Sequence, residues 1–156
     1  MAADERDNAG VIAPPPLIYA GAVVLGLLAQ RAKPLPLAPR ALARPLGALL
    51  AAGALLLGGW AAGTMRRAGT PLAPREPSTA LVTAGPYRFS RNPIYLAMTL
   101  LGAGIALLTN AAWALAAALA AAGIVDTGVI EREERYLQRR FGQPYADYRA
   151  RVRRWL

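Results

Sequence analysis

The side chains that could do chemistry in this protein are carboxylates, phenols, amides and guanidinium groups, because its sequence contains no cysteine and no histidine. That composition excludes a disulfide framework, a metal site built from cysteine or histidine, a Ser-His or Cys-His nucleophile and a histidine general base. We therefore expect no metal centre. Any catalysis must use acids, tyrosines and arginines together with a bound cofactor.

The most informative polar side chains fall in two blocks that flank the third apolar stretch, and the first block is residues 78–95. This block is rich in turn-forming residues and leads into an apolar segment. Pro93 falls near the first position of a helix, where its missing N–H costs little, and Asn92 occupies the position of a helix cap. One interpretation is purely structural, with arginines at the lipid headgroups and tyrosines in the interfacial belt. The other is a binding segment at the start of a helix.

The second block is residues 130–142, which have the pattern of an amphipathic helix. At about 100° per residue, an apolar stripe is formed by Ile130, Leu137 and Phe141. Glu133 and Glu134 flank this stripe, whereas Arg132, Arg135 and Arg139 lie on the opposite face. Carboxylates near hydrocarbon are costly, so these two acids are candidate functional residues. The alternative is an array of i,i+4 salt bridges, such as Glu131 with Arg135, which explains Glu131 but not Glu133.

Three long stretches without charged side chains must form the elements that position these blocks: residues 8–30, 45–65 and 92–125. A helix that crosses a bilayer needs roughly 20 apolar residues, so each of the first two stretches holds one span. The third is too long for one helix and is interrupted by Thr109-Asn110, a turn signal. It predicts a helical hairpin, and a single long, tilted helix is the alternative.

The expected fold is therefore an all-α membrane protein with about four transmembrane helices, a C-terminal helical hairpin and cytoplasmic amphipathic helices. The spans are expected at about Leu17–Gln30, Pro45–Gly63, Ile94–Leu108 and Ala111–Ile130. We expect a single membrane domain over residues 1–156. Within it, residues 1–69 hold two spans and their loops, and residues 70–156 hold the two polar blocks, the hairpin and the interfacial helices.

Charge and composition place the protein in a membrane, since it is 55% hydrophobic and only 17% charged, with a formal net charge of +9. The N-terminal tail, the loop before residue 92 and the C-terminal tail together hold fourteen of its eighteen basic residues, and cytoplasmic segments of membrane proteins carry such an excess. We therefore expect both termini in the cytoplasm. The composition is typical of a high-GC bacterium, which indicates a bacterial inner membrane. This arrangement explains the basic charge without a nucleic-acid partner.

Beyond Gly142, apolar residues recur at helical spacing: Tyr145, Tyr148, Val152 and Trp155. Arginines fill the positions between them. The pattern predicts an amphipathic helix that lies in the membrane interface and anchors the protein rather than contacting a ligand. We accordingly expect Arg153 and Arg154 to act in membrane placement and not in chemistry.

Taken together, the two polar blocks resemble the isoprenylcysteine carboxyl methyltransferase family, whose pattern is shared by the related phospholipid N-methyltransferases. The resemblance rests on Gly85-Pro-Tyr-Arg-Phe-Ser-Arg-Asn-Pro-Ile-Tyr95, Glu133-Glu-Arg-Tyr-Leu137, Phe141-Gly142 and Tyr145-x-x-Tyr148. It covers about residues 70–156. Members of that family are integral membrane enzymes that use S-adenosylmethionine, bound in a pocket at the cytoplasmic ends of the last helices.

The resemblance implies that the cofactor contacts Thr79, Ala80, Leu81, Val82, Tyr87, Asn92, Pro93, Ile94, Tyr95 and Glu133. The family usually has histidine where this chain has Asn92, and asparagine keeps a hydrogen-bond donor and acceptor but cannot ionise. By charge, Glu133 suits the α-ammonium of the cofactor, and either Arg88 or Arg91 suits its α-carboxylate. Tyrosine rings suit its sulfonium or its adenine.

The expected methyl acceptor is a membrane lipid or another lipophilic small molecule that arrives from the bilayer. A carboxylate acceptor needs no base. An amine, such as that of phosphatidylethanolamine, must lose a proton, and Glu134 and Asp126 are the candidate catalytic bases. A competing hypothesis is a non-catalytic membrane protein that holds anionic lipid or a partner through its basic tail. The sequence indicates no particular oligomeric state.

Overall fold

The computed structural model describes residues 9–73 and 76–156, and within these ranges the chain is helical with no β-strand. The helices are α1 (Pro15–Ala32), α2 (Arg40–Arg67), a short 3₁₀ helix (Gly85–Arg88), α3 (Pro93–Leu108), α4 (Ala112–Val125), a π-helical turn (Asp126–Ile130), α5 (Glu131–Phe141) and α6 (Gln143–Arg151). The predicted all-α fold is confirmed. Arg6 and Arg75, two of the arginines behind the predicted orientation, lie outside the described residues.

Three helices are long and apolar enough to cross a membrane: Pro15–Ala32, Arg40–Arg67 and the continuous helix Ala112–Phe141. Helix α3 has 16 residues, which at 1.5 Å per residue extend about 24 Å, short of a hydrocarbon core about 30 Å thick. The predicted count of four spans is therefore not confirmed. Leu49 and Leu56 on α2 are largely exposed, as is usual for a helix surface that faces lipid.

The first two spans contain the predicted helices, but α2 starts earlier than expected, at Arg40 instead of Pro45. Its first turn is closed by hydrogen bonds from the N–H groups of Leu42 and Ala43 to the carbonyl of Pro39, at 2.9 and 3.0 Å. Pro45 lies inside the helix, where it removes one backbone hydrogen bond near the N-terminal end of α2. That single loss does not stop the helix.

Helices α3 and α4 form the predicted hairpin. Its turn is held by Asn110, which has a positive φ of 52°, a conformation that asparagine adopts more readily than most residues. The amide oxygen of Asn110 accepts hydrogen bonds from the N–H groups of Leu37 and Ala38, at 2.8 and 3.1 Å. Its amide nitrogen donates to the carbonyl of Ala38 at 2.9 Å. The turn is thus fixed to the α1–α2 connector, and the alternative of one long helix is wrong.

The second arm of the hairpin continues beyond its predicted end near Ile130. Helix α4, the π-helical turn and α5 form one continuous helix, Ala112–Phe141. The second polar block is therefore the direct extension of a membrane-spanning helix. Because a continuous helix is stiff, Glu133 and Glu134 hold a fixed position relative to the apolar bundle. Insertions of this π-helical kind are frequent at functional sites.

The bundle packs closely where glycines meet. A Cβ atom added to Gly104 of α3 would lie 2.8 Å from the backbone nitrogen of Ala51 in α2, and one added to Gly47 would lie 2.8 Å from the carbonyl oxygen of Gly104. Small residues let helix backbones approach in this way in membrane proteins. This contact fixes α2 against α3 and so places the end of α2 beside the start of α3.

The end of the chain departs from the predicted amphipathic helix. Helix α6 stops at Arg151, and Val152 has extended backbone angles, φ −120° and ψ 129°. Residues 152–156, named the C-terminal strap from here on, run back across the start of α3. Tyr145 and Tyr148 are 1% and 4% exposed, so they pack inside the protein. Long-range contacts override the helical spacing that predicted an interfacial anchor.

Candidate functional site

A cavity of about 500 Å³ lies at the end of the bundle where α2 ends and α3 begins. Its walls come from the C-terminal half of α2, residues 70–73 and 78–82, the 3₁₀ helix, the start of α3, α5, α6 and the residues around the start of α1. This volume is within the range of small-molecule sites, about 300–1,000 Å³. We call this space the site cavity. Apolar side chains dominate its lining, and its charged residues are Arg91, Glu133 and Glu134.

One wall of the site cavity is the segment 76–82, which is held in place by hydrogen bonds. The backbone N–H of Ser78 donates to the hydroxyl of Tyr136 at 3.0 Å, and Arg140 donates to the carbonyl of Ser78. The hydroxyl of Thr79 donates to the carbonyl of Gly69 at 2.8 Å. These bonds fix the segment between α2 and α5. Thr79 acts in this attachment and does not line the cavity.

The 3₁₀ helix presents Tyr87 to the site cavity. Tyr87 is buried, and its carbonyl accepts a hydrogen bond of 2.7 Å from the hydroxyl of Tyr148. Burial raises the pKa of both phenols, so both stay neutral near pH 7 and offer aromatic faces without charge. Arg88, at the end of the same 3₁₀ helix, is exposed and does not line the cavity.

Glu133 is the carboxylate of the cavity without a cation partner. It is partly buried, and it accepts a hydrogen bond of 2.6 Å from the hydroxyl of Tyr95, one turn into α3. Within the described part of the chain, no lysine or arginine forms a salt bridge with it. A carboxylate kept in such a place has unused acceptor capacity for a cationic or hydrogen-bonding ligand.

Glu134, by contrast, is held between two arginines. Its oxygens lie 2.6 Å from Nη2 of Arg91 and 2.8 Å from Nη2 of Arg154. The second guanidinium nitrogen of Arg154 lies 3.0 Å from Asp126, which also accepts a hydrogen bond of 2.9 Å from the indole of Trp155. Hydrogen bonding to Glu134 raises the pKa of Arg154. Asp126 therefore belongs to an ion-pair network beside the cavity and does not line it.

Arg91 has one donor to spare. Its side chain is 10% exposed. Its Nη1 donates to the carbonyl of Val152 at 2.7 Å and to that of Arg149 at 3.2 Å. Its Nε is buried and has no hydrogen-bond partner among the described residues. An orphaned buried donor is costly unless a ligand satisfies it, so this atom fits an anionic group bound in the cavity.

Asn92 occupies the predicted cap position, but its side chain makes no capping hydrogen bond. Its amide nitrogen instead donates to the carbonyl of Arg154 at 3.0 Å, and its backbone N–H donates to the hydroxyl of Ser90 at 3.1 Å. The expectation of a side-chain cap is therefore wrong. Asn92 joins the start of α3 to the C-terminal strap while it also lines the cavity.

The structure brings most of the predicted site residues together. Those that line the site cavity are Ala80, Leu81, Val82, Tyr87, Arg91, Asn92, Pro93, Ile94, Tyr95, Glu133 and Glu134. Thr79, Arg88 and Asp126 lie outside the lining. Sequence reasoning missed Tyr136, which sits beyond the edge of the predicted stripe. It is buried because the distant segment 76–82 covers it, a contact that local spacing does not report.

The fold and the cavity define an integral membrane protein with a ligand-sized site at one end of its helices. Residues 42–144 match the family model described as phospholipid methyltransferase. The match covers most of the chain, which therefore belongs to the phospholipid methyltransferase family, as the sequence resemblance indicated. Members of this family are methyltransferases and generally use S-adenosylmethionine. Comparison with individual curated proteins finds no match.

Proposed function

We propose that the protein is an S-adenosylmethionine-dependent methyltransferase that acts on a lipophilic acceptor from the cytoplasmic leaflet. One observation carries this proposal. The site cavity combines Glu133, a carboxylate without a cation partner among the described residues, with Arg91, a buried guanidinium whose Nε has no partner in the same part of the chain. The amino-acid end of the cofactor carries one positive and one negative charge. The cavity therefore offers an acceptor for the positive charge and a spare guanidinium N–H for the negative one.

In this proposal Glu133 accepts hydrogen bonds from the α-ammonium of the cofactor, and Arg91 donates to its α-carboxylate. The neutral rings of Tyr87 and Tyr95 offer aromatic faces that suit a sulfonium or adenine. The apolar side chains of segment 80–82 supply the remaining wall. When bound, S-adenosylmethionine supplies a methyl group bonded to a positively charged sulfur.

The residues of the chain hold the reacting groups in a fixed geometry and exclude water from them. The hydrogen bond from Tyr95 orients the carboxylate of Glu133, and that from Tyr148 fixes the backbone at Tyr87. Fixed geometry of this kind lowers the entropic cost of bringing two reactants into line. The apolar lining excludes water from the reacting groups. Alignment and desolvation are the main requirements of an in-line methyl transfer.

The acceptor side of the cavity is apolar. It is lined by residues 14–16 at the start of α1 and by Gly58, Ala62 and Met65 of α2, which suits a hydrocarbon chain and not a polar substrate. The two predicted bases, Glu134 and Asp126, are both held by Arg154. This arrangement favours a lipophilic carboxylate, which needs no base. The family description, phospholipid methyltransferase, favours a phospholipid as the acceptor.

Transfer of labelled methyl groups tests the proposal. The protein, reconstituted in nanodiscs that contain bacterial lipid extract with phosphatidylethanolamine, receives S-adenosylmethionine with a tritiated methyl group. We expect label in the organic phase. Treatment with base releases the label as volatile methanol from a methyl ester, whereas an N–methyl bond survives and its label stays non-volatile, so the same sample distinguishes carboxylate from amine. Absence of organic-phase label from folded protein would contradict a lipophilic acceptor and favour the non-catalytic alternative.

A matched pair of variants links the label to the site cavity. Glu133→Gln keeps the shape of the side chain and removes its charge, and we expect it to abolish most of the transfer. Glu131→Gln lies two residues away, is exposed, and meets Arg135 at 4.0 Å outside the site cavity. We expect this control to transfer as the wild type does.

A further inference from the structure

The C-terminal strap touches the candidate site through its backbone. The N–H of Arg91 donates to the carbonyl of Arg153 at 3.0 Å, and the amide of Asn92 donates to the carbonyl of Arg154 at 3.0 Å. The hydroxyl of Ser90 also donates to the carbonyl of Arg154, at 3.3 Å. Three consecutive residues at the start of α3 thus bind the strap. The strap forms the outer support of the segment that carries Arg91.

The side chain of Arg154 adds a charge bridge to this support. It joins Glu134 of α5, at 2.8 Å, to Asp126 of the π-helical turn, at 3.0 Å. The neighbouring Arg153 is exposed, and its one side-chain hydrogen bond within residues 9–73 and 76–156 is to the carbonyl of Leu156, at 3.4 Å. Two adjacent arginines therefore have different surroundings. The expectation that both serve membrane placement does not account for the ion pairs of Arg154.

Removal of Arg154 would change the forces on Arg91. Glu134 is 11% exposed, and loss of one cation partner would leave this buried carboxylate with Arg91 alone. An uncompensated buried charge is strongly unfavourable. Glu134 would then draw the guanidinium of Arg91 more closely, and the site would carry one positive charge less. Both changes oppose the binding of an anion by Arg91.

We propose that Arg154 is a positioning residue, which neutralises Glu134 and so keeps the Arg91 guanidinium available to the carboxylate of the bound cofactor. Arg154 does not line the site cavity. It acts through Glu134 and Arg91. This inference rests on the proposed function, because it assumes that Arg91 faces the amino-acid part of S-adenosylmethionine.

Two ligands separate positioning from a general structural role. S-adenosylhomocysteine carries the amino-acid part, whereas 5′-methylthioadenosine has the adenosine and the thioether without it. Calorimetry on full-length protein in nanodiscs measures both. For Arg154→Ala we expect the Kd of S-adenosylhomocysteine to rise about tenfold or more, the size of a lost charge-assisted hydrogen bond. The Kd of methylthioadenosine should stay unchanged.

Arg153→Ala is the matched control and should bind both ligands as the wild type does. Arg154→Lys keeps the charge but not the two-pronged geometry that reaches both acids, so we expect a smaller rise in the Kd of S-adenosylhomocysteine. This conservative variant also carries the test if the alanine variant does not fold.

Three outcomes would overturn the inference or its basis, and they differ from one another. Unchanged S-adenosylhomocysteine affinity in a folded Arg154 variant would show that Arg154 does not position Arg91. Equal weakening of both ligands would show that Arg154 supports the fold in general. Failure of the folded wild type to bind either ligand would refute the proposed function itself.

Discussion

Glu133→Gln is the substitution that most directly examines how the cavity holds a cofactor. The variant keeps the size of the side chain and an oxygen that can accept the hydrogen bond from Tyr95, which is 2.6 Å long in the wild-type protein. It removes the negative charge. A hydrogen bond to a charged group contributes about 1.5–3 kcal/mol. Loss of the pairing between Glu133 and an α-ammonium should therefore raise the Kd of S-adenosylhomocysteine by roughly 10- to 150-fold.

Calorimetric titration with S-adenosylhomocysteine in nanodiscs measures this change. Glu131→Gln serves as the control because its side chain is 43% exposed and lies outside the site cavity, and it should leave the Kd unchanged. Thermal unfolding of both variants shows whether the fold is intact. If the Glu133→Gln protein is folded and binds within twofold of the wild type, Glu133 does not contact the ammonium and the assignment of charges in the cavity is wrong.

Further predictions concern packing, a buried hydrogen bond and alkaline pH. Gly104→Ala should lower the free energy of unfolding by about 1–3 kcal/mol, because its Cβ would meet the backbone of α2. Gly53→Ala has open space around it and should leave stability unchanged. Equal melting temperatures of the two variants would contradict this packing. Tyr148→Phe leaves the carbonyl of Tyr87 without its 2.7 Å partner and should cost about 1–3 kcal/mol, measured by chemical unfolding in detergent. Burial raises the pKa of Tyr145 from 10.0 to about 12, so the folded state retains this proton more tightly than the unfolded chain does. The stability that this proton contributes should be intact below pH 10 and fall towards pH 12. Tyr145→Phe should therefore show a shallower fall in melting temperature over that range. An equally steep fall would show that Tyr145 is not the group that titrates.

Local pattern was enough for the parts of the structure that depend on local chemistry. Thr109-Asn110 marked the hairpin turn because asparagine adopts a positive φ more readily than most residues. The helical spacing of residues 130–142 identified Glu133 and Glu134 as inward-facing acids, since a helix fixes which residues share a face. The family resemblance supplied the remaining segment, residues 79–95, as candidate site residues.

The strap could not be predicted in the same way. Tyr145, Tyr148, Val152 and Trp155 have helical spacing, yet the helix ends at Arg151 because residues 152–156 bond to the start of α3 and to Asp126. These partners lie far away in sequence. The different surroundings of Glu133 and Glu134 also depend on contacts between distant parts of the chain. Adjacent acids look alike in the sequence, and only the fold gives one of them two arginines.

The central claim is that the site cavity binds S-adenosylmethionine, and its most direct test is calorimetric titration of the wild-type protein in nanodiscs with S-adenosylhomocysteine. We expect saturable binding of one ligand per chain. Absence of binding at millimolar ligand, in protein shown to be folded by its thermal unfolding, would contradict it.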